Sequence, residues 1–458
     1  MRIAIIGYGM AGARLAGELR SRCADVKVTA FGAEPHRAYN RILLSNLLAG
    51  KSREDDLMLA EPASGVDVRV GVPVTAIDPG RRLVRTADDE REYDAIVLAT
   101  GSRAIVPPLG DPDVLVFRTL DDCRRIVAAA EGVRTAIVLG GGLLGIEAAR
   151  GLAGRGLDVT VVHAAGHLME RQLDPDAGTV LAGTLARLGV EVRVDALAIG
   201  WRDGALHLAD GGSLPADLLV VACGVRPETS LASEAGLRVE RGIVVDDAMR
   251  TSADGVYAIG DCAEHRGTVY GLVGPAWEQA AVVADRLTGV DSTYPGSRLV
   301  TRLKANGIDL AAMGSTHGDE VLTFADPHRG TYARLVVRDD RLAGAVLLGD
   351  NPTVGTVVQL YDRGGRVPAD RRSLLLGRPL GAEAVPAASP ALMPDQAVVC
   401  RCNTVTKGRI TAAWRAGARS AGDVAAATRA TTGCGGCTDA VGGILDWLST
   451  VDPSEVAA

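Results

Sequence analysis

The chain has 458 residues, of which 49 are Lys or Arg and 56 are Asp or Glu, so its formal net charge is −7. That length exceeds a single hydrophobic core and predicts two to four domains. The acidic balance argues against nucleic acid as a partner, because phosphates bind basic surfaces. The N-terminal residues do not follow the order of a signal peptide, and no stretch reaches the roughly 18 apolar residues that span a bilayer. We therefore expect a cytoplasmic protein that binds neither nucleic acid nor membrane.

The N-terminal stretch MRIAIIGYGMAGARLAGELR predicts a buried strand, a tight turn and a helix. Gly7, Gly9 and Gly12 form the pattern G-x-G-x-x-G in the turn. In this pattern the first glycine permits the turn, the second lets backbone approach a pyrophosphate, and the third lets the helix pack on the strand. The next strand, VKVTAFGAE, ends at Glu34, where a carboxylate would accept ribose hydroxyls. This order of elements predicts a dinucleotide site.

A second fingerprint lies in TAIVLGGGLLGIEAARGLAGRGLDVTVVH, where Gly140, Gly142 and Gly145 repeat the pattern. The acid expected at the end of the following strand is missing, because His163 occupies that position. A carboxylate there favours NAD and a basic cluster favours NADP, so His163 alone decides neither. Two fingerprints with different strand-end residues predict two different dinucleotides.

Three further segments complete a known pattern. YDAIVLATGSRAIVPPLG contains Thr100 and Gly101, TSADGVYAIGDCAE contains Asp261, and GLVGPAWEQAAVVADRL predicts an amphipathic helix. In this order the pieces resemble the two-dinucleotide-binding flavoproteins of the pyridine nucleotide-disulfide oxidoreductase type. The resemblance implies FAD in the first unit and NAD(P)H in the second, with Thr100, Gly101 and Asp261 among the cofactor-binding residues. It also implies that Asp261 bonds the FAD ribityl chain and that the helix from Trp277 directs its N-terminus at the flavin.

The segment EPHRAYNRILLSNLLAG, together with GHLMERQLD, resembles a narrower group. It is similar to the flavoprotein part of assimilatory NAD(P)H-nitrite reductase large subunits and of assimilatory nitrate reductase electron-transfer subunits. The resemblance implies that Asn40 and Arg41 lie near the isoalloxazine, although a surface role stays open for Arg41. Glu147, just after the second fingerprint, either faces the nicotinamide or has a packing or surface role. The segment has no cysteine pair, so we expect no dithiol relay and no catalytic side chain.

The cysteines near the C-terminus, Cys400, Cys402, Cys434 and Cys437, form C-x-C, 31 intervening residues and C-x-x-C. Four thiolates hold either zinc or a [2Fe–2S] cluster, and a disulfide or redox switch is the third alternative. The intervening residues and those after Cys437 predict helices, whereas zinc ribbons place their ligands on β-hairpins. The spacing with its helical insert resembles the bacterioferritin-associated-ferredoxin type of domain, which implies a [2Fe–2S] cluster.

The organisation follows from these segments. We expect an α/β chain with two Rossmann-like dinucleotide-binding domains, an α+β interface domain that resembles the C-terminal domain of the same flavoproteins, and a small helical [2Fe–2S] domain. The predicted boundaries are 1–115 with 245–295 for the FAD domain, 116–244 for the NAD(P)H domain, 296–380 for the interface domain, 381–394 for an Ala- and Pro-rich linker, and 395–447 for the cluster domain.

The order of cofactors predicts an oxidoreductase in which NAD(P)H reduces FAD and electrons pass singly to the cluster. The printed sequence ends at Ala458 without the sirohaem segment of nitrite reductases. We therefore expect a separate catalytic subunit, most simply of an assimilatory nitrate or nitrite reductase. Two alternatives stay open: a reductase for a small carrier such as ferredoxin or rubredoxin, and an iron- or redox-sensing binding module. The sequence leaves the oligomeric state open.

Overall fold

The structure is a computed structural model of the chain. Within its described part, no helix combines the length and the apolar character needed to cross a membrane. The described residues are 1–60, 64–110, 114–303, 305, 307–377, 390–400, 403, 405–432 and 437–451.

The chain begins with the strand, glycine turn and helix that the first fingerprint predicts. Ile3 to Ile6 are buried, as expected for a strand covered on both faces of a parallel sheet. Later residues of this segment form short helices and a small antiparallel sheet. The elements are β1 (Arg2–Ile6), α1 (Met10–Arg22), β2 (Lys27–Gly32), α2 (Leu44–Leu48), α3 (Glu54–Leu57), β3 (Val66–Val70), β4 (Ala76–Asp78), β5 (Leu83–Arg85), β6 (Glu90–Glu92), β7 (Ala95–Leu98) and β8 (Ser102–Ala104).

The same succession of elements recurs around the second fingerprint. The helix α4 begins with a capping box, in which the Thr119 hydroxyl accepts from the Asp122 N–H and the Asp122 carboxylate accepts from the Thr119 N–H. The elements are β9 (Leu115–Val116), α4 (Leu120–Ala129), β10 (Thr135–Leu139), α5 (Leu143–Gly154), β11 (Asp158–Val162), α6 (Pro175–Arg187), β12 (Val190–Arg193), β13 (Ala198–Arg202), β14 (Ala205–Leu208), β15 (Ser213–Pro215), β16 (Leu218–Val221), β17 (Val225–Pro227), α7 (Ser230–Glu234) and β18 (Ile243–Val245).

The chain then returns to the first sheet through β19 (Val256–Ala258), β20 (Ala263–His265) and α8 (Val273–Leu287). The first sheet has the order β19-β7-β1-β2-β3 and is parallel throughout. The second sheet, also parallel, has the order β12-β11-β10-β16-β9. Each fingerprint strand therefore lies in the middle of its own sheet, which confirms the prediction of two Rossmann-like units. The strands β8 and β17 pair with each other and join the two units.

A third, antiparallel sheet follows, with the order β21-β22-β25-β24-β23. The sequence predicts a hairpin around Asp339 and Asp340, and the pairing of β24 with β25 confirms it. Both aspartates have positive φ, 51° and 56°, as a two-residue hairpin turn requires. The elements are β21 (Val300–Leu303), β22 (Leu310–Gly314), β23 (Glu320–Asp326), β24 (Thr331–Arg338), β25 (Arg341–Leu348), α9 (Val354–Arg363) and α10 (Ser373–Leu376).

The last part of the chain has a small core of its own that includes Cys400, Trp414, Cys437 and Ile444. The helices predicted between and after the cysteine pairs are confirmed. Residues 381–389 of the predicted linker lie outside the described residues, and Pro390–Leu392 forms a 3₁₀ turn. The elements are β26 (Val398–Cys400), β27 (Val405–Thr406), α11 (Lys407–Arg415), α12 (Ala421–Thr428) and α13 (Thr438–Val451). The α/β fold class is thus confirmed, while the predicted domain boundaries stay predictions.

The segment from Tyr39 to Leu57 packs away from the first sheet. Its buried side chains belong to the apolar core that surrounds β10 and α5 of the second unit. A Cβ added to Gly151 on α5 would lie 3.1 Å from Leu48 Cγ, so α2 and α5 are in close contact. This packing fixes the two fingerprint turns relative to each other.

Candidate functional site

The first fingerprint forms a concave turn, which we call the first cradle. At two of its glycines a side chain would clash with backbone, and beside the third there is open space. A Cβ at Gly7, where φ is +106°, would lie 2.1 Å from the carbonyl oxygen of Ala99. A Cβ at Gly12 would lie 2.0 Å from the carbonyl oxygen of Gly7. Around Gly9 the nearest such atom is Arg41 Nε, at 4.0 Å. The fold therefore requires Gly7 and Gly12, whereas the space beside Gly9 admits a ligand.

The helix α1 starts directly after this open position. Gly9 is its N-cap residue and supplies no side-chain hydrogen bond to the first turn. The first N–H groups of a helix have no intrahelical acceptor and, with the helix dipole, favour an anion. The turn and the helix end together fit the pyrophosphate of a dinucleotide.

The second fingerprint repeats this geometry. A Cβ at Gly140 would lie 2.4 Å from the Ala222 carbonyl oxygen, and one at Gly145 would lie 1.9 Å from the Gly140 carbonyl oxygen. A Cβ at Gly142 would meet nothing within 4 Å, and Gly142 caps α5 without a side-chain hydrogen bond. A second pyrophosphate fits here for the same physical reasons.

Glu34 lies after β2 in a cluster with two partners from its own segment. The Tyr39 hydroxyl donates to Glu34 Oε2 at 2.7 Å, and Arg41 forms an ion pair with Glu34 Oε1. The Arg41 guanidinium also stacks on the Tyr39 ring, 4.9 Å from its centroid. Burial, reinforced by the Glu34 carboxylate and opposed by Arg41, raises the pKa of the Tyr39 phenol, which keeps its proton for this bond. Because Arg41 also lies beside Gly9, the cluster borders the cradle.

Asn40 is buried and performs a local task. Its Oδ1 accepts from the Ile42 N–H at 3.1 Å and caps the 3₁₀ turn Arg41–Leu43. The sequence did not indicate Ser45, whose buried Oγ lacks a hydrogen-bond partner among the described residues. Whether Asn40 and Arg41 contact the isoalloxazine stays a prediction.

Asp261 is held by two residues that the sequence did not single out. Its Oδ2 accepts from Arg118 Nη2 at 2.7 Å and from Ser102 Oγ at 2.9 Å. Thr100 Oγ1 donates to the Glu228 carbonyl at 2.6 Å, which ties the end of β7 to the second unit. A Cβ at Gly101 would meet nothing within 4 Å. Asp261, Thr100 and Gly101 thus lie at the carboxyl ends of the first sheet, where ligands of open α/β sheets bind.

The predicted helix near Trp277 begins earlier than that residue. α8 starts at Val273, its N-cap is Leu272, and Pro275 lies in the first turn, where a missing backbone N–H is tolerated. Trp277 lies inside the helix and its Nε1 donates to the Met10 carbonyl at 3.3 Å. The N-terminus of α8 is therefore joined to the first turn of α1.

Of the cysteines away from the C-terminal group, Cys123 and Cys262 are buried, whereas Cys23 and Cys223 are partly exposed. Burial raises the pKa of Cys123 and Cys223 to about 11 and also raises that of Cys262. A thiol with such a pKa is a poor nucleophile at neutral pH. Glu147 is also buried, near the start of α5, and its role at the nicotinamide stays a prediction.

Two of the four predicted cluster ligands are described. Cys400 ends β26 and Cys437 directly precedes α13, and both are buried in the small C-terminal core. The side-chain amide of Asn403 lies 3.9 Å from Cys400 Sγ. The Val441 N–H donates to the Cys437 carbonyl at 2.8 Å, so Cys437 stands at a helix N-terminus, which favours thiolate charge. Cys402 and Cys434 lie outside the described residues.

Known proteins are similar in sequence to this chain over nearly its whole length. The nitrite reductase [NAD(P)H] of Bacillus subtilis is 38% identical over 97% of this chain and 57% of its own length. The assimilatory nitrate reductase electron transfer subunit of the same organism is 36% identical over 100% of this chain and 61% of its own. The chain thus spans little more than half the length of these curated relatives.

A solved structure shares the larger part of the fold. The covalent putidaredoxin reductase–putidaredoxin complex matches with a TM-score of 0.75 and 27% identity, covering 82% of this chain and 95% of that one.

Family models agree with the cofactor predictions. Residues 398–447 match the BFD-like [2Fe-2S] binding domain, which confirms the [2Fe–2S] prediction over zinc and disulfide. Residues 300–359 match the rubredoxin NAD+ reductase C-terminal domain. Residues 1–281 match the pyridine nucleotide-disulphide oxidoreductase model, which confirms FAD and NAD(P)H as cofactors. With two nucleotide cradles in two parallel sheets, the chain belongs to the pyridine nucleotide-disulphide oxidoreductase family.

Proposed function

We propose that the chain is the electron-transfer component of an assimilatory nitrate or nitrite reductase system. It carries electrons from NAD(P)H through FAD and the [2Fe–2S] cluster to a catalytic partner in the cytoplasm. The names of the relatives from Bacillus subtilis support the nitrogen-oxide acceptor. The contact between the cluster domain and the flavin-side segment, residues 39–58, supports electron transfer between the flavin and the cluster.

That contact is the observation that carries the proposal. Arg429 Nη1, at the end of α12, donates to the Met58 carbonyl at 3.0 Å. Met58 pairs with Tyr39, so the guanidinium reaches the segment that carries Asn40 and Arg41. Asn403 Nδ2 donates to the Arg429 carbonyl at 2.5 Å and lies beside Cys400. A continuous series of contacts thus runs from the flavin-side segment to a cluster ligand.

The residues of the first unit bind and orient FAD. Gly7, Gly9 and Gly12 shape the pyrophosphate cradle, and Arg41 supplies a cation beside it. Glu34 accepts hydrogen bonds from the ribose hydroxyls, which replace part of its present bonding to Tyr39 and Arg41. When bound, FAD accepts the two electrons of a hydride together and releases them singly, which suits a one-electron cluster.

Asp261 and the end of α8 hold the other half of the same cofactor. The carboxylate of Asp261, already fixed by Arg118 and Ser102, accepts hydroxyl donors of the ribityl chain. The N-terminal N–H groups of α8 place positive potential at the flavin. The open space beside Gly101 leaves room for the cofactor near Thr100.

The second unit binds NAD(P)H on the turn formed by Gly140, Gly142 and Gly145. The free N–H groups of α5 receive the pyrophosphate, and buried Glu147 lies on the same helix. In the cluster domain, Cys400, Cys402, Cys434 and Cys437 ligate the iron atoms. Because Cys400 and Cys437 are buried, they would hold the cluster away from water, and solvent exposure is one of the factors that set the potential of a cluster.

The test is anaerobic reduction of the holoprotein. NADH or NADPH should bleach the flavin and then produce a [2Fe–2S] EPR signal, and Cys437→Ser should remove the signal while flavin reduction persists. The reduced protein should then support nitrate or nitrite reduction by the catalytic subunit purified from the same cell. An EPR-silent protein that still reduces the catalytic subunit would contradict the route through the cluster.

One specific observation favours a second candidate, a reductase for a small electron carrier. Residues 300–359 match the rubredoxin NAD+ reductase C-terminal domain, and the fold resembles that of putidaredoxin reductase. Comparison of rubredoxin and ferredoxin with the nitrate- or nitrite-reducing subunit as acceptors, at equal concentrations, decides between the two. If rubredoxin or ferredoxin is reduced faster than the nitrate- or nitrite-reducing subunit, the second candidate is the better one.

A further inference from the structure

The strand-end position of the NAD(P)H unit carries a histidine whose two ring nitrogens are both engaged. Nδ1 of His163 accepts from the Gly141 N–H at 3.0 Å, and Nε2 lies 3.0 Å from Glu170 Oε2. A backbone N–H can only donate, so Nδ1 is the acceptor and the ring proton resides on Nε2. His163 is buried and connects the fingerprint turn to the Glu170 carboxylate.

The backbone around Glu170 is fixed to the same glycine. The Met169 N–H donates to the Gly141 carbonyl at 3.0 Å, and Met169 is buried with φ at +52°. A Cβ at Gly141 would lie 2.5 Å from Leu168 Cδ2 and 2.8 Å from His163 Cγ. The loop therefore lies tightly against the fingerprint, while the Glu170 side chain keeps 38% exposure. Its carboxylate is both held in place and accessible.

We propose that Glu170, held by His163, replaces the missing strand-end acid and makes the chain select NADH over NADPH. In Rossmann units the adenosine ribose lies at this strand end, where a carboxylate accepts the 2′-hydroxyl and repels a 2′-phosphate. Glu170 supplies that carboxylate seven residues later in the chain. The inference rests on the proposed binding of NAD(P)H to the second unit, and it makes Glu170 a specificity-determining residue and His163 a positioning residue.

The surrounding charges agree with this selection. Asp195 adds a second carboxylate at the same edge, since its backbone N–H donates to Ala165 at 3.0 Å. Arg193, at the end of the neighbouring strand β12, pairs with Glu191 at 3.1 Å. Arg171 is exposed and follows Glu170 directly, so it is the cation nearest in sequence that could contact a 2′-phosphate. A preference for NADPH would therefore depend on Arg171, and this alternative can be tested together with the proposed preference for NADH.

The test measures binding of ADP-ribose and 2′-phospho-ADP-ribose to the FAD-loaded protein by calorimetry. The parent chain should bind ADP-ribose at least about tenfold more tightly, since a charge-assisted hydrogen bond and a repulsion both act on the 2′ position. Glu170→Gln should remove most of that preference by tightening 2′-phospho-ADP-ribose. His163→Ala should also lower the preference for ADP-ribose, and Arg171→Gln should leave that preference unchanged.

The possible outcomes separate this inference from the proposed function. If neither nucleotide binds and neither NADH nor NADPH bleaches the flavin, the proposed NAD(P)H site itself fails. If both bind and Glu170→Gln leaves their affinity ratio unchanged, the role of Glu170 fails while the site stands. A parent chain that prefers 2′-phospho-ADP-ribose and loses this preference in Arg171→Gln would reverse the inference. Unchanged FAD content and melting temperature serve as the folding control for each variant.

Discussion

Arg118 and Asp261 form an ion pair at 2.7 Å that joins the residues just before α4 to the residues just after β19. Arg118 also donates to Ser102 Oγ at 2.5 Å, so one guanidinium holds both the Asp261 carboxylate and the Ser102 hydroxyl. Both partners are largely buried, with side chains 19% and 21% exposed. Because the two residues lie in different predicted domains, the pair links the residues after β19 to the NAD(P)H unit.

Asp261→Ala should weaken FAD binding by about tenfold or more, because it removes a charged acceptor worth about 1.5–3 kcal/mol per hydrogen bond and leaves Arg118 without its carboxylate. The measurement is the release of FAD on dilution, followed by flavin fluorescence. Asp88→Ala is the matched control, since Asp88 lies exposed on the same unit. Equal FAD retention in both variants would refute a role for Asp261 at the cofactor.

Gly142→Ala and Gly140→Ala should separate ligand binding from folding. At Gly142 the added methyl group meets open space, so we expect an unchanged melting temperature and loss of NAD+ binding. At Gly140 it meets the Ala222 carbonyl at 2.4 Å with φ at +117°, so we expect a loss of roughly 2 kcal/mol or more of folding free energy. Calorimetry with NAD+ and thermal unfolding measure the two effects. Normal NAD+ affinity in Gly142→Ala would show that the pyrophosphate lies elsewhere.

Sequence reasoning located the two cradles because their signal is local. The glycine spacing and the buried strands both act within about 30 residues, and strand–turn–helix units form from such short-range preferences. The hairpin at Asp339 and Asp340 and the helices around the cysteine pairs were predictable for the same reason. The segment GLVGPAWEQAAVVADRL was predicted as a helix and contains α8, whereas the resemblance gave a start at Trp277, four residues after the observed start at Val273.

The contacts between distant segments had no such signal. Nothing in the residues around Arg118 indicates that it meets Asp261, 143 positions later. The packing of Leu48 against Gly151 depends on the arrangement of both units and not on either segment alone. Glu170 was overlooked because its contact with His163 depends on how the loop between them folds, and Met169 in that loop has a positive φ of 52°.

Cys123 and Cys223 should resist alkylation in the native holoprotein. With a pKa of about 11, only about a thousandth of each thiol is ionised at pH 8, and reactivity should rise about tenfold per pH unit up to that value. Iodoacetamide labelling followed by mass spectrometry at pH 7, 8 and 9 measures this slope. Unfolded protein in denaturant is the control, where both thiols should react rapidly. Rapid labelling of either thiol in the native protein at pH 7 would contradict the burial argument.

Asp247 should stabilise the first unit in a pH-dependent way. Arg266, and then His265, lower the pKa of Asp247 from its ordinary value of 3.8 to about 2. A carboxyl whose folded pKa is depressed stabilises the fold fully above its unfolded pKa and loses that contribution as pH falls through the folded value. Asp247→Asn should therefore melt below the parent protein at pH 7, and the difference should shrink between about pH 4 and pH 2. The control is Asp291→Asn, at a side chain that is 92% exposed. Its melting temperature should differ little from that of the parent protein at both pH 7 and pH 2.

Arg429→Asn should slow electron transfer from flavin to cluster while flavin reduction by NADH is unchanged. The substitution removes the guanidinium that reaches the Met58 carbonyl, and asparagine tolerates the positive φ of 65° at this position, so backbone strain is avoided. Loss of one charge-assisted hydrogen bond, about 1.5–3 kcal/mol, should reduce the population of the docked cluster domain by roughly tenfold or more. Stopped-flow absorbance at the flavin and freeze-quench EPR at the cluster measure the two steps separately.

The control is Arg409→Asn, at an exposed position on α11 of the same domain, which should leave both rates unchanged. If the cluster is reduced at the same rate in Arg429→Asn and in the parent protein, the Met58 contact does not govern electron transfer. If the reduction potential of the cluster changes in the variant, Arg429 acts on Cys400 through Asn403 instead.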